Sequence, residues 1–369
     1  MPFISPNEAF HGYTSAIIVG IYSDMITASA VKKEGVTPVV VAIASESMSG
    51  IDAVEGLFST EKIMFNMEKA IMGLPHEARM PGSMVIVALG PGSGTCAYTV
   101  AERKRELKDR KMTAEEVNAI IAATNTEKES GVISAQYPEH FSIDGFSVSG
   151  LEGLNGEDVV VGMVRVACDE VLEKEFAARM TTFDLRYGGM IDMRYAAMRF
   201  DHFFEKAASA LLICIFEHET HIALMHEKAV YSIGAARTGY GILCADIARS
   251  FSVGIEEAKE IVRAYRTQEL NDGTHASVAD ACAAGAQKIV QAVKDVITGM
   301  DSAHIIPGNM HVVCSDVMPE ITAQFVAGAW FTDLPVERNA SVSLFSEEKS
   351  KRFCTPYDYV SADFLTRHH

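Results

Sequence analysis

No hydrophobic run in this chain approaches the roughly 20 residues that a bilayer-spanning helix needs. The amino-terminal stretch MPFISPNEAFHGYT lacks both a basic n-region and an apolar h-region, so no secretory leader is expected. Positive charge is also scarce. Lys+Arg number 32 against 49 Asp+Glu, a net charge of −17. A surface of that sign repels phosphate backbones and bare anionic membrane, which argues against nucleic acid as a partner and against direct lipid binding. The seven cysteines are scattered and form no Cys-x-x-Cys pair, so they read as small buried hydrophobes in a reducing compartment. The expected location is the cytoplasm.

Several chemical signatures are missing as well. No G-x-S-x-G nucleophile motif occurs. Gly90-Pro91-Gly92-Ser93-Gly94 follows a strand, but Thr95-Cys96 stand where a phosphate loop needs Lys and Ser or Thr, so a plain loop is expected. His218, His221 and His226 flank Glu219, but with x-x spacing on a strand turn rather than on a helix face. An exposed polar turn is favoured over a metal site.

What is present is alternation. With 369 residues and 48% hydrophobic content, the chain reads as a globular α/β protein of two lobes or more. Leu211–Met225 contains two apolar runs, LLICIF and HIALM, joined by a polar turn. Ala16–Ile21 and Met25–Val31 repeat this pattern around Tyr22-Ser23-Asp24, which suggests two related halves. Val39–Ala44 has the continuous apolar character of a central strand, and Met84–Leu89 and Asp158–Ala167 read as buried strands. Two short strands are expected within Val132–Val148 and another at Met310–Cys314. Helical spacing marks Ser59–Met72, Thr113 onward, Asp169–Met180, Tyr195–Ala210, Ile242–Phe251, Ile255–Arg266, Ala276–Ile297, Pro319–Trp330 and Phe353–Leu365. The basic cluster from Arg103 to Lys111 is interleaved with acids and reads as a solvated face.

In order and content these stretches resemble the actin-like ATPase superfamily. Within it they resemble FtsA, the bacterial actin homologue of cell division, with the pilus protein PilM a more distant relative. AIIVGIYSDMITASAV, MVIVALGPGSG, ISAQYPEHFSIDG and SGLEGLNGEDVVVGMVRVAC carry the resemblance. It implies two actin-like (ribonuclease H-like) lobes, each a mixed five-stranded sheet with helices, plus an FtsA-type α+β insert. Residues 13–88, 163–210 and 331–366 would form the first lobe and 89–162 the insert. Residues 211–240 and 301–330 would form the core of the second lobe, and 241–300 its helical subdomain.

By the same resemblance, Tyr22, Ser23 and Asp24 stand at the first phosphate loop, and Glu217, His218, Glu219 and Thr220 at the second. Ser315 and Asp316 stand at the adenosine loop, and Lys259 and Val262 at the ribose-contacting helix. Glycines that let backbone amides reach phosphate are missing from the loops, and Glu217 and Glu219 would oppose it. The expectation is a pseudo-ATPase with no bound cofactor, acting as a self-assembling cytoskeletal or cell-division scaffold. The alternatives are a filament-forming ATPase that binds ATP with Mg, and a PilM-like adaptor for a peptide of a membrane partner. An FtsZ-like tail peptide or another division protein would dock on the helical subdomain, where Ile255 and Ile261 offer apolar contact and Arg263 and Arg266 meet acid. FtsA also ends in a linker and an amphipathic membrane helix, whereas this sequence stops at FLTRHH, directly after the expected last core helix. Membrane contact is therefore expected through a partner, unless a tail has been removed.

Overall fold

A computed structural model describes residues 15–34, 37–48, 59–123, 132–205, 207–300, 305–314, 319–327, 330–331, 333–337, 341–345 and 355–367. The chain opens as a meander. β1 (Ser15–Ile21), β2 (Met25–Glu34) and β3 (Thr37–Ser47) pair antiparallel in sequence order. β3 was expected at a sheet centre, but it is the edge strand, and its apolar run leaves Val41 51% and Ile43 46% exposed. α1 (Thr60–Gly73) follows, started by the Ser59 side chain accepting from the Lys62 amide, and buries Ile63, Met64, Met67, Ala70 and Ile71. β4 (Met84–Leu89) then runs parallel to β1, buried along its whole length.

β5 (Thr95–Lys104) enters the stretch read above as a charge-dense loop and face. Arg105, at its end, is not solvated. It is 5% exposed, and its guanidinium donates to Glu116 (2.7 Å), Gly156 O (2.9 Å) and Arg110 O (2.9 Å). α2 (Ala114–Ala123) has its Glu116 amide held by the Thr113 hydroxyl. β6 (Val132–Ile143) is one long strand, and only β7 (Phe146–Val148) is short. β8 (Asp158–Asp169) lies between β5 and β6, giving a four-stranded sheet ordered β5-β8-β6-β7.

α3 (Glu170–Thr182) is capped by Asp169, and β9 (Arg186–Asp192) joins β4 in parallel. The helix expected over Tyr195–Ala210 is shorter and earlier. α4 (Met193–Met198) is started by the Asp192 carboxylate on the Arg194 and Tyr195 amides, and a 3-10 turn at Asp201–Phe204 follows it.

The pattern of the first half then repeats. β10 (Ala210–Ile215), β11 (Thr220–His226) and β12 (Ala229–Ala236) form a second antiparallel meander. Helices α5 (Gly241–Phe251), α6 (Ile255–Arg266) and α7 (Asp272–Gly299) intervene before β13 (Asn309–Cys314) pairs parallel to β10. α8 (Pro319–Thr322) passes into a π turn at Ala323–Ala327, and β14 (Ser341–Leu344) adds parallel to β13. β14 thus lies in the second sheet, although the stretch 331–366 was expected in the first lobe. The chain returns to the first sheet as α9 (Pro356–Arg367).

The two five-stranded sheets read β3-β2-β1-β4-β9 and β12-β11-β10-β13-β14, the same topology twice. One face of the second sheet (Leu211, Ile213, Ile215, Ile222, Leu224) shares a core with α5 and α7. Its other face (Leu212, Cys214, Ala223, Met225) joins the core of the first half and α9. The four-stranded sheet docks on β12 through Glu139, whose side chain is 2% exposed. That carboxylate accepts from Tyr195 Oη (2.9 Å), Arg199 Nη1 (3.0 Å) and the Val230 amide (3.4 Å), and burial outweighs these partners to raise its pKa.

Candidate functional site: the crevice between the two sheets

β1, β4 and β9 end together at Ile21, Leu89 and Asp192, and β10 and β13 end together at Ile215 and Cys314. In α/β folds the carboxyl ends of parallel strands are where ligands sit. Here the two sets of strand ends meet across one crevice, and two hairpin turns line it. The turns are built alike. Ile21 pairs with Ile26 and Ile215 with Thr220, leaving four residues in each turn. Each turn is closed by the first amide on the fourth carbonyl, Tyr22 to Met25 and Phe216 to Glu219, both at 2.9 Å.

The aromatic that opens each turn is 2% exposed and rests on α9 or the residue before it. Tyr22 Oη bonds Thr355 Oγ1 (2.5 Å) and donates to Asp358 Oδ1 (2.9 Å), while Phe216 stacks on Tyr357 with centroids 4.4 Å apart. Asp358 also accepts from Thr27 Oγ1 (2.8 Å), and a side chain at Gly20 would collide with that carboxylate, its Cβ falling 2.6 Å from Oδ1. Burial pushes the Asp358 pKa up to about 6, against these hydrogen bonds, which pull it down.

The turns touch through side chains. Ser23 Oγ donates to Glu217 Oε2 at 3.1 Å. Lys259, on α6, places Nζ 3.6 Å from Glu217 Oε1, and His218 Nε2 lies 3.3 Å from Oε2. Tyr240 Oη donates to Asp24 Oδ2 at 2.6 Å. Burial alone would lower the Lys259 pKa, but Glu217 and then Glu256 outweigh it and raise it. The start of α5 is pinned to the second turn by the Tyr240 amide on Phe216 O (2.9 Å) and the Gly241 amide on Glu217 O (2.8 Å). Gly239 is required by this approach, since a Cβ there would stand 2.0 Å from Phe216 O.

Beneath the turns, Asp192 and Arg194 form a buried pair, both side chains no more than 2% exposed, with Nη2 to Oδ2 at 2.5 Å. Arg194 also donates to Gly94 O (2.9 Å) and lies near His221 Nε2 (3.5 Å) and Glu219 Oε1 (3.6 Å). His221 in turn bonds Glu219. Burial raises the Glu219 pKa, but His221 and Arg194 outweigh it, so the net shift is down.

Of the residues singled out in sequence, Ser23, Asp24, Glu217, Glu219 and Lys259 come together here. Tyr22 and Thr220 support the turns from below, Thr220 Oγ1 donating to Thr238 O at 2.7 Å. Ser315 and Asp316 lie outside the described residues. The reading of 217–221 as an exposed polar turn is corrected. Only His218 is exposed, whereas Glu217 is 7% and His221 6% accessible, the first against Ser23 of the opposite turn and the second against Arg194 and Phe216. His226 faces Ser209 at the far end of β11, and no cluster able to hold a metal exists among the described residues. The loop Gly90–Gly94 leads into β5 rather than a helix, as a plain loop would.

On α6, Ile255 is exposed, Ile261 packs partly into the second core, and Ala258, Val262 and Tyr265 are buried. Arg263 pairs with Glu260 (2.8 Å), and both it and Arg266 are exposed. Arg194 and Tyr240 were not anticipated. The Asp-x-Arg at the strand–helix junction was the only sequence trace of the former, and the Gly239 and Gly241 flanks of the latter.

No protein-family model and no curated protein matches the chain. Solved structures do. The chain is similar to the PilM-PilN type IV pilus biogenesis complex at 15% identity, covering 96% of this chain and 98% of that one, with a TM-score of 0.63. It is less similar to the ethanolamine utilization protein EutJ from Carboxydothermus hydrogenoformans (13% identity, 97% and 92% covered, TM-score 0.48). A further match is the cytoplasmic domain of EpsL, an inner-membrane component of the type II secretion system of Vibrio cholerae (9%, 95% and 95%, 0.43). The doubled five-stranded order and the likeness to the PilM-PilN structure together give this chain the actin-like fold.

Proposed function

We propose that this chain is a non-enzymatic adaptor or scaffold, one that uses the actin-like fold to hold a protein partner and has given up nucleotide. The observation that carries the reading is Glu217. A nearly buried carboxylate lies between the two turns, hydrogen-bonded to Ser23 and facing Lys259. A nucleotide phosphate entering there would meet Glu217, Asp24 and Glu219, all of its own sign, and would have to displace the first. The resemblance to the PilM-PilN complex supports the partner half of the reading. In such a protein, recruitment to a membrane comes through the partner. Calorimetry and melting with Mg-ATP test the nucleotide half. A ligand at about 100 times its Kd adds roughly 2.7 kcal/mol of stability, so a melting temperature unmoved by excess Mg-ATP is expected. Micromolar binding would overturn the reading.

A second reading, an FtsA-like filament scaffold that receives an acidic tail peptide, draws on α6. Arg263 and Arg266 stand exposed on its last turn, while the opposite face holds the helix to the core. Arg263→Glu with Arg266→Glu is expected to abolish binding of an acidic peptide and to move stability by no more than about 0.5 kcal/mol. Undiminished peptide binding, measured by fluorescence anisotropy, would exclude α6 as the dock.

A further inference from the structure

We propose that Glu217 is a built-in anion: its carboxylate clasps the two halves of the molecule across the crevice, a task that elsewhere would fall to a diffusible ligand. The inference rests on the reading above that the crevice takes no nucleotide, and it adds what Glu217 does there instead.

The geometry is that of a ligand with its own tether. The backbone of Glu217 is fixed in the second half, its carbonyl accepting the Gly241 amide at 2.8 Å. Its side chain crosses to the first half, where the Ser23 hydroxyl donates to Oε2 at 3.1 Å. Lys259 supplies the counter-charge on the other oxygen at 3.6 Å. The carboxylate is only 7% accessible. A buried carboxylate is costly without such partners, so opening the crevice must either break them or rehydrate them. Tyr240 makes the second crossing from the same pinned backbone. Its amide holds Phe216 O at 2.9 Å and its hydroxyl reaches Asp24 at 2.6 Å. Two neighbouring residues of the first turn are thereby gripped from the second half, one by an anion and one by a phenol. Bound ligands stabilise closed states by occupying both halves at once. Glu217 does this permanently, and at fixed effective concentration.

If the carboxylate acts as an anion rather than as packing, a free carboxylate should replace it. Hydrogen exchange of the turn amides reads this directly. In Glu217→Ala the amides of the opposite turn, residues 22–25, are expected to exchange about tenfold faster. Acetate should slow them back toward the wild-type rate, chloride at equal ionic strength should not, and the wild type should ignore both. Ser23→Ala removes the donor on the other side and leaves the Glu217 half untouched. It is expected to speed exchange at 216–219, and it decides the matter alone if Glu217→Ala does not fold. Unchanged exchange at 22–25 in Glu217→Ala would overturn the proposal. So would acceleration that acetate leaves in place, or a Ser23→Ala variant whose second turn exchanges as in the wild type. Binding of Mg-ATP to the wild type would instead sink the closed-crevice reading, and the exchange test would still report whether Glu217 grips the first turn.

Discussion

The two hairpin turns are the same structure solved with different chemistry. Each spans four residues, each is closed by the same backbone bond, and each buries an aromatic against the segment beginning at Thr355. The first, Tyr22-Ser23-Asp24-Met25, works through hydroxyls. Tyr22 and Thr27 hold Asp358 from below, and Ser23 reaches out above. The second, Phe216-Glu217-His218-Glu219, works through charge, with a flat ring stacked below and two carboxylates above. A repeated backbone therefore left the side chains free to diverge, and they diverged into complementary partners. The hydroxyl of one turn became the donor for the carboxylate of the other.

The largest expected break in this arrangement comes from Arg194, which meets the second turn at Glu219. Arg194→Ala leaves the buried Asp192 carboxylate without its partner, and breaking such a pair costs roughly 3–5 kcal/mol, measurable by urea unfolding. Arg194→Met combined with Asp192→Asn, which removes both charges and keeps a cap on α4, should recover much of the loss, because desolvation is then removed together with attraction. Equal damage in the double variant would place the effect in packing rather than charge.

A pH dependence separates the turns next. Asp358, under the first turn only, has its pKa raised from 3.8 to about 6 in the folded protein. The folded state then binds more protons than the unfolded state between those values, so stability falls as pH rises through that window and is level outside it. The span corresponds to a loss on the order of 3 kcal/mol. Subtracting the unfolding profile of Asp358→Asn isolates this contribution. A difference curve that rises with pH from 4 to 6 would contradict it.

The smallest expected effect is a deletion of one oxygen. Tyr22→Phe makes the first turn resemble the second and leaves Asp358 and Thr355 each one partner short. A loss of about 1–2 kcal/mol is expected from calorimetry, in keeping with buried groups left unsatisfied. A neutral result would mean that the ring of Tyr22, like that of Phe216, is what matters.

Both hairpins were legible because six-residue apolar runs ending in polar turns permit little else. Other strands were hidden for identifiable reasons. β5, TCAYTVAERK, is an edge strand of small and polar residues that ends in the exposed charges Glu102, Arg103 and Lys104, so it reads as a loop. β9, RYGGMID, carries Gly188 and Gly189, which look like a turn; a Cβ at Gly188 would strike Met84 Cγ at 2.7 Å, so the glycine serves close strand packing. β14 is four residues of mixed polarity that only β13 makes into a strand. β3 looked central because local composition cannot say which side a neighbour will take.

By itself the sequence determined the two hairpins, their repeat and most of the helices, since period and run length are local properties set by sterics and burial. It also determined which side chains the turns would offer. That those side chains would meet was decided only by the tertiary structure. Ser23 and Glu217 are 194 residues apart, and Asp24 and Tyr240 are 216 apart. Their encounter depends on two sheets ending at the same crevice with α9 wedged beneath. No local pattern encodes such a distance, because the free energy that sets it is spread over the whole shared core.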